Sequence, residues 1–280
     1  MGFFRKNKKK QYEEDHSMAT PTEERGNDVG DFAGFVLLSE PEWDKEQFLA
    51  DLKEDWGLTV DEGEKADNPE DEPKIVYGDV EGMRITVGFI DGPVPNGEAE
   101  HFAGANYMWK DAVDVVSTHK AQLIVCILTK SSDLIAKGKL YVKLASSALK
   151  QKNALAFYNE GAVYEPRFYI EAAALMKNET LPILNWVWFG LYGDEEKAGI
   201  YTYGMRRFAK EEMEIYVDRK KADLNKVREF LVNIVDYILS GDVILRDGET
   251  IGFTAEQKIP IRLSPGIAVD GNTIKFDYFE

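Results

Sequence analysis

FAGFVLL at 32–38, FLADLKEDWG at 48–57, KIVY at 74–77, MRITVGFI at 83–90 and QLIVCIL at 122–128 decide the fold. The first of these is apolar at successive positions and reads as a strand. Ser39, with Glu42 three residues on and Pro41 between them, is a helix-start pattern. Phe48, Leu49, Leu52 and Trp56 then recur at helical spacing, and Gly57 stops that helix. The next two apolar runs are joined through Gly78 and Gly82 and read as a hairpin. DGPVPNG at 91–97 is a loop by every turn signal. Trp109, Ala112, Val113 and Val116 mark a second helix, beginning near Glu98 with an interruption, and the strand at 122–128 follows. Strand, helix, strand, strand, helix, strand is the order of the ferredoxin-like split unit (βαββαβ). Residues 31–130 are therefore expected to form such a half, with two helices on one face of an antiparallel sheet.

Outward from that stretch, residues 1–30 are polar and charged without periodicity and read as a disordered basic and polar tail. An acidic loop with Asn68-Pro69 spans 61–72. Residues 131–280 read as a second α+β half. A helix over 132–152 carries Tyr141, Leu144, Ala145, Ala148 and Leu149 on one stripe, and Ser131-Ser132 reads as its cap. A short strand at 154–158 and a helix opened by Glu165-Pro166 follow. Aromatic strands at 186–192 and 200–205 flank a charged turn, and 214–217 is a short strand. Asp223 caps a helix ended by Gly241, and turns at Asp247-Gly248 and at Asp270-Gly271-Asn272 each join two strands. No flexible linker separates the halves between 129 and 132. The fold class is α+β, the halves packed as one compact unit, with a single continuous mixed sheet as an option.

The chain of 280 residues carries a net charge of −16 and an isoelectric point near 4.8. That balance opposes nucleic-acid binding, which needs clustered Lys and Arg to neutralise phosphates. It suits a basic protein partner met by electrostatic steering. The lone Cys126 lies in an apolar run and reads as a small buried hydrophobe. No run approaches a membrane span, and the N-terminus has no secretory pattern, so a cytoplasmic location is expected. Phe3, Phe4, Arg5, Lys6, Lys8, Lys9 and Lys10 make the tail either a solubilising segment or a peripheral contact for an anionic membrane through residues 1–10.

Chemistry-bearing patterns are sparse. Glu98 and His101 are spaced i, i+3, but a di-iron site needs that pair twice, so no metal or other cofactor is expected. His119 closes a helix, where capping competes with a role as base. Gly78-Asp79-Val80-Glu81-Gly82 sets two acids where a phosphate loop would bind. Trp186, Trp188 and Tyr192 share one strand face and Val187, Phe189 and Leu191 the other, which suggests a central strand covered on both sides. Tyr201, Tyr203 and Met205 alternate in the same way, and Arg206-Arg207 follows. If one face is open, Trp186, Trp188, Tyr201, Tyr203 and Arg206, with His119 nearby, form a ligand or partner surface. No catalytic residue is assigned.

Three segments resemble a bacterial family catalogued as domain of unknown function 4261. They are Phe35-Val36-Leu37-Leu38-Ser39-Glu40-Pro41 with Leu52-Lys53-Glu54-Asp55-Trp56-Gly57; His119-Lys120-Ala121-Gln122-Leu123-Ile124-Val125; and Tyr201-Thr202-Tyr203-Gly204-Met205 with Phe208, Glu214-Ile215, Asp236-Tyr237 and Asp247-Gly248-Glu249-Thr250-Ile251-Gly252. The resemblance implies a soluble bacterial protein and carries over no reaction, cofactor or catalytic residue. From the residues, two functions stand side by side. One is a non-enzymatic, immunity- or adaptor-like module that binds a protein, motivated by 14 acids against three lysines over 40–72. The other is a small-molecule-binding protein or hydrolase with an aromatic pocket.

Overall fold

A computed structural model describes residues 29–62, 74–252, 254 and 256–277. The tail over 1–28 and most of the acidic loop at 61–72 lie outside the described residues. The expected element order of the first half is present: β1 (Ala33–Leu38), α1 (Lys45–Trp56), β2 (Ile75–Val80), β3 (Met83–Ile90), α2 (Glu98–Gly104), α3 (Ala112–Val116) and β4 (Ala121–Ile127). After them come α4 (Leu134–Ala148), β5 (Ala154–Asn159), β6 (Ala162–Tyr164), α5 (Pro166–Ala174) and α6 (Ile183–Trp186). The chain then forms β7 (Trp188–Gly193), β8 (Lys197–Tyr203), a 3-10 turn Met205–Phe208, β9 (Met213–Asp218) and α7 (Leu224–Gly241). It closes with β10 (Thr250–Ile251), β11 (Ile259–Pro265) and β12 (Asn272–Phe276).

These strands make two separate six-stranded sheets, not one continuous sheet. The first runs β2-β3-β4-β1-β5-β6 and the second β10-β11-β12-β9-β8-β7. Every pairing in the first is antiparallel; the second is mixed, because β12 and β9 run parallel. The first sheet does not stop at residue 130 but takes in β5 and β6.

The ferredoxin-like arrangement is corrected at the level of strand order. That topology sets β1 beside β3, whereas here β4 stands between them. Its two helices also belong on one face, and here they are split. Val36 and Leu38 of β1 share a core with Phe48 and Leu52 of α1 and with Leu140, Tyr141 and Leu144 of α4. Leu37, on the opposite face, packs with Ala99 and Ala103 of α2 and Ala112 and Val116 of α3. The physical reason lies in β1 itself. A strand apolar on both faces needs cover on both, and one helical layer would leave half of it in water.

Local corrections have local causes. Asp44, not Ser39, caps α1, accepting a hydrogen bond from Gln47 N at 2.8 Å. Asp133, not the Ser131-Ser132 pair, caps α4. Asp242, at positive φ, follows Gly241 as the C-cap of α7. Asp247-Gly248 precedes β10, and the β10–β11 connection lies over 252–258. Trp186 ends a short helix and is not in a strand, and β7 is an edge strand and not a central one.

One apolar cluster takes in residues of both sheets and of α4, and a second lies where α2 and α3 cover the first sheet. A Cβ on Gly138 of α4 would stand 3.1 Å from both Trp186 and Phe208, so that glycine lets the two rings close onto the helix. α7 covers one face of the second sheet with Val227, Leu231, Ile234, Val235 and Ile238. On its other face, tyrosine rings lie across glycines of neighbouring backbone. Tyr201 covers Gly190 of β7, Tyr192 covers Gly199 of β8, and Tyr203 reaches across to Gly161 in the β5–β6 turn of the first sheet.

Gly34 of β1 is confined by the Tyr141 hydroxyl, the Phe157 ring and the Tyr158 carbonyl, all within reach of an added Cβ. Gly34→Ala should overpack this site and destabilise the protein by about 1–3 kcal/mol, measured by urea unfolding. A midpoint unchanged from wild type would contradict the packing described.

Candidate functional site

A cleft of about 310 Å³ opens where the two sheets meet. Asp31 and Ala33 at the start of β1, Phe102 of α2 and Glu160 of the β5–β6 turn supply one wall. Tyr203, Gly204, Arg206 and Arg207, leading from β8 into the 3-10 turn, supply the facing wall, with Glu212 behind them. Ala268, Val269 and Asp270, in the loop between β11 and β12, close one end. Its volume falls within the range of small-ligand pockets.

Two buried glutamates, two residues apart, fix the second wall and the closing loop. Glu212 is 2% exposed. It accepts from Thr202 Oγ1 at 2.7 Å, Gly204 N at 2.8 Å, Met205 N at 2.9 Å and Arg206 N at 3.4 Å. Burial pushes its carboxyl up from the ordinary value, and these donors oppose the push. Gly204 sits at φ 125°, where a side chain would also overlap the Trp186 carbonyl, so only glycine enters the turn this way. Glu214 is fully buried. It accepts from Ile267 N at 3.0 Å, Ala268 N at 2.9 Å and Val269 N at 3.2 Å, and pairs with Lys275 Nζ at 2.6 Å. The loops that carry Arg206 and Asp270 are thus held by carboxylates and not by apolar packing alone.

The arginines differ. The Arg206 guanidinium lies over Gly271 and donates to the Asp270 carbonyl. Arg207 is 9% exposed, and its guanidinium donates to Asn159 Oδ1 at 2.6 Å. Its backbone carbonyl accepts from Gly30 N at 2.9 Å, tying the start of β1 to the turn.

Of the six residues singled out from sequence, the structure brings two into this cleft, Tyr203 and Arg206. Tyr201 lies on the same face of β8 but rests on Gly190 and Tyr192. Trp186 and Trp188 are buried in the core. Trp186 packs against Phe208 with ring centroids 4.8 Å apart, and Trp188 meets Tyr164 edge-on at 5.9 Å. His119 is buried elsewhere: Nε2 accepts from Val94 N at 2.8 Å, and Nδ1 lies 2.6 Å from Val116 O at the end of α3. Because a backbone N–H can only donate, the ring is neutral, with its proton on Nδ1 bonded to the helix-end carbonyl. That is a capping role, made by a neutral imidazole and not by a cation. Burial pushes the Cys126 thiol up, away from thiolate chemistry.

Sequence reasoning missed Asp31, Phe102, Glu160, Arg207, Glu212 and the 268–270 loop as neighbours. The one available signal was at the entry to β9. Glu212 and Glu214 alternate with Met213 and Ile215, an acid just before the strand and another within it, on a strand that also carries buried apolar residues.

Residues 201–277 match the family model described as Domain of unknown function (DUF4261). The match contains the Tyr203–Arg207 wall, both anchoring glutamates and the closing loop; the wall built by Asp31, Phe102 and Glu160 lies outside it. No curated protein and no solved structure matches the chain. Among the described residues, no helix is long and apolar enough to cross a membrane.

Glu212→Ala would strip four donors of their acceptor, each lost bond costing about 1–3 kcal/mol where the donor stays buried. Unfolding in urea should place Glu212→Ala well below Glu212→Gln, which keeps one acceptor oxygen. Equal stability of the two variants would show that the carboxylate does not hold the turn.

Proposed function

We propose that the protein is a non-enzymatic binding module that recognises another polypeptide through the cleft between its sheets. The observation that carries this reading is the cleft's construction. Its recognition elements stand on loops already held by Glu212 and Glu214, so little ordering has to be met on binding. Preorganised walls of mixed aromatic, acidic and arginine character are what a receptor for a charged chain segment needs. The overall charge of −16 favours encounter with a basic partner. The imidazole of His119, the sequence's candidate base, is committed at both nitrogens. An immunity- or adaptor-like role in a bacterial cytoplasm fits these features, and nucleic acid does not fit the acidity.

The test is affinity capture with the full chain from native lysate, comparing wild type with a double variant, Asp31→Lys and Asp270→Lys. Both positions are exposed and line the cleft. Wild type should retain a stoichiometric partner at low salt and release it near ~0.5 M, where the Debye length shortens to a few ångströms. The double variant should retain at least tenfold less. Capture that ignores both salt and the charge reversals would rule out recognition at this cleft.

A further inference from the structure

Arg207 is the anomaly of the molecule. Arginine is almost never buried to this degree without a carboxylate. Here the residue is nine-tenths buried, its guanidinium donates to the neutral amide of Asn159, and it forms no ion pair among the described residues. Its charge is felt by the hydroxyls of Tyr141, Tyr164 and Tyr169, which burial raises and Arg207 lowers. Two of those hydroxyls, on Tyr141 and Tyr169, are buried without a hydrogen-bond partner. The Tyr141 hydroxyl abuts Gly34, next to Ala33 in the cleft wall. A desolvated cation beside unsatisfied polar groups is costly unless an anion completes it. Arg207 lines the cleft.

From this we infer that Arg207 receives a carboxylate brought by the ligand, and that the ligand also carries a positive charge close to that carboxylate. This rests on the reading of the cleft as the recognition site and names what it takes. The inward part follows from the guanidinium fork, which matches a carboxylate in two parallel hydrogen bonds. The outward part follows from the rim. Asp31 and Asp270 are exposed and line the cleft, and would repel a multiply charged anion such as a phosphate ester. They attract a cation held just outside the buried carboxylate. The rings of Phe102 and Tyr203 on facing walls suit the stem or charge of a lysine or arginine side chain. Glu212 does not compete for Arg207, because its oxygens are occupied by Thr202 and the turn. The ligand class is an α-carboxylate with an adjacent basic group. Two sources carry it: the C-terminal Lys or Arg of a polypeptide, or the free amino acid.

The test is calorimetric titration of the full chain with N-acetylated hexapeptides ending in Lys or Arg, their C-terminal amides, and free lysine, arginine and argininamide. Free carboxylates should bind at least tenfold more tightly than the matching amides. Asn159→Asp supplies Arg207 with a carboxylate from within the protein. It should raise the melting temperature and weaken carboxylate binding at least tenfold. Should that variant fail to fold, Asp31→Asn takes its place. It should reduce the preference for peptides ending in Lys or Arg over peptides ending in Leu, while the acid-over-amide preference remains. Equal affinity for acids and amides, no binding of any carboxylate, or undiminished binding by folded Asn159→Asp overturns the inference. Binding of peptide acids supports a polypeptide source. Binding of free amino acids alone keeps the role of Arg207 and removes the polypeptide partner. Salt-sensitive capture of a partner alongside failed titrations removes the role of Arg207 alone.

Discussion

The arrangement around the cleft depends on backbone amides donating to two buried carboxylates, one within β9 and one just before it. Glu214 lies in β9 and Glu212 immediately precedes that strand. One gathers the amides of the 3-10 turn and the other the amides of the β11–β12 loop. Irregular backbone brought into a protein interior must find partners for its amides. Here β9, paired on both sides, and the residue that leads into it supply them. The loops owe their positions to β9, and β9 owes its own to the sheet.

The same logic of satisfying every face explains what could be read from the sequence and what could not. The element order through β4 was legible because turn residues and apolar periodicity are local signals. The strand order was not, because nothing in 32–128 says which antiparallel neighbour β1 takes. Yet Phe35-Val36-Leu37-Leu38 did hold a clue: a strand apolar on both faces is incompatible with helices on one side only. The aromatic segment around 186–205 misled for a related reason. Buried aromatics on alternate residues mimic a central strand, but at β7 they are buried by Tyr107, Tyr164 and the helices around them, with no further strand.

The cleft was half legible. Tyr203 and Arg206 stood out as an aromatic and a cation next to each other in sequence. Arg207, one residue on, looked the same in sequence and has the opposite environment. A 3-10 turn points neighbouring side chains apart, so one guanidinium lies at the surface over Gly271 and the other goes inward to Asn159. The facing wall comes from residues 31–33, 102 and 160, far apart in the chain and each unremarkable alone. Such a site is made by tertiary convergence and leaves no motif.

The tyrosine rings seated on glycines carry an evolutionary consequence. Each ring needs a hydrogen in place of a side chain beneath it, and each bare glycine is shielded by its ring, so the two positions are not free to drift singly. A lineage that trades Gly161 for a larger residue would have to shrink residue 203 in the same step or soon after. Because that pair joins one sheet to the other, it would reset the gap between them as well. Correlated replacement at 161 and 203, more than at any pair within a sheet, is where the ancestry of this molecule would record a change in what its cleft accepts.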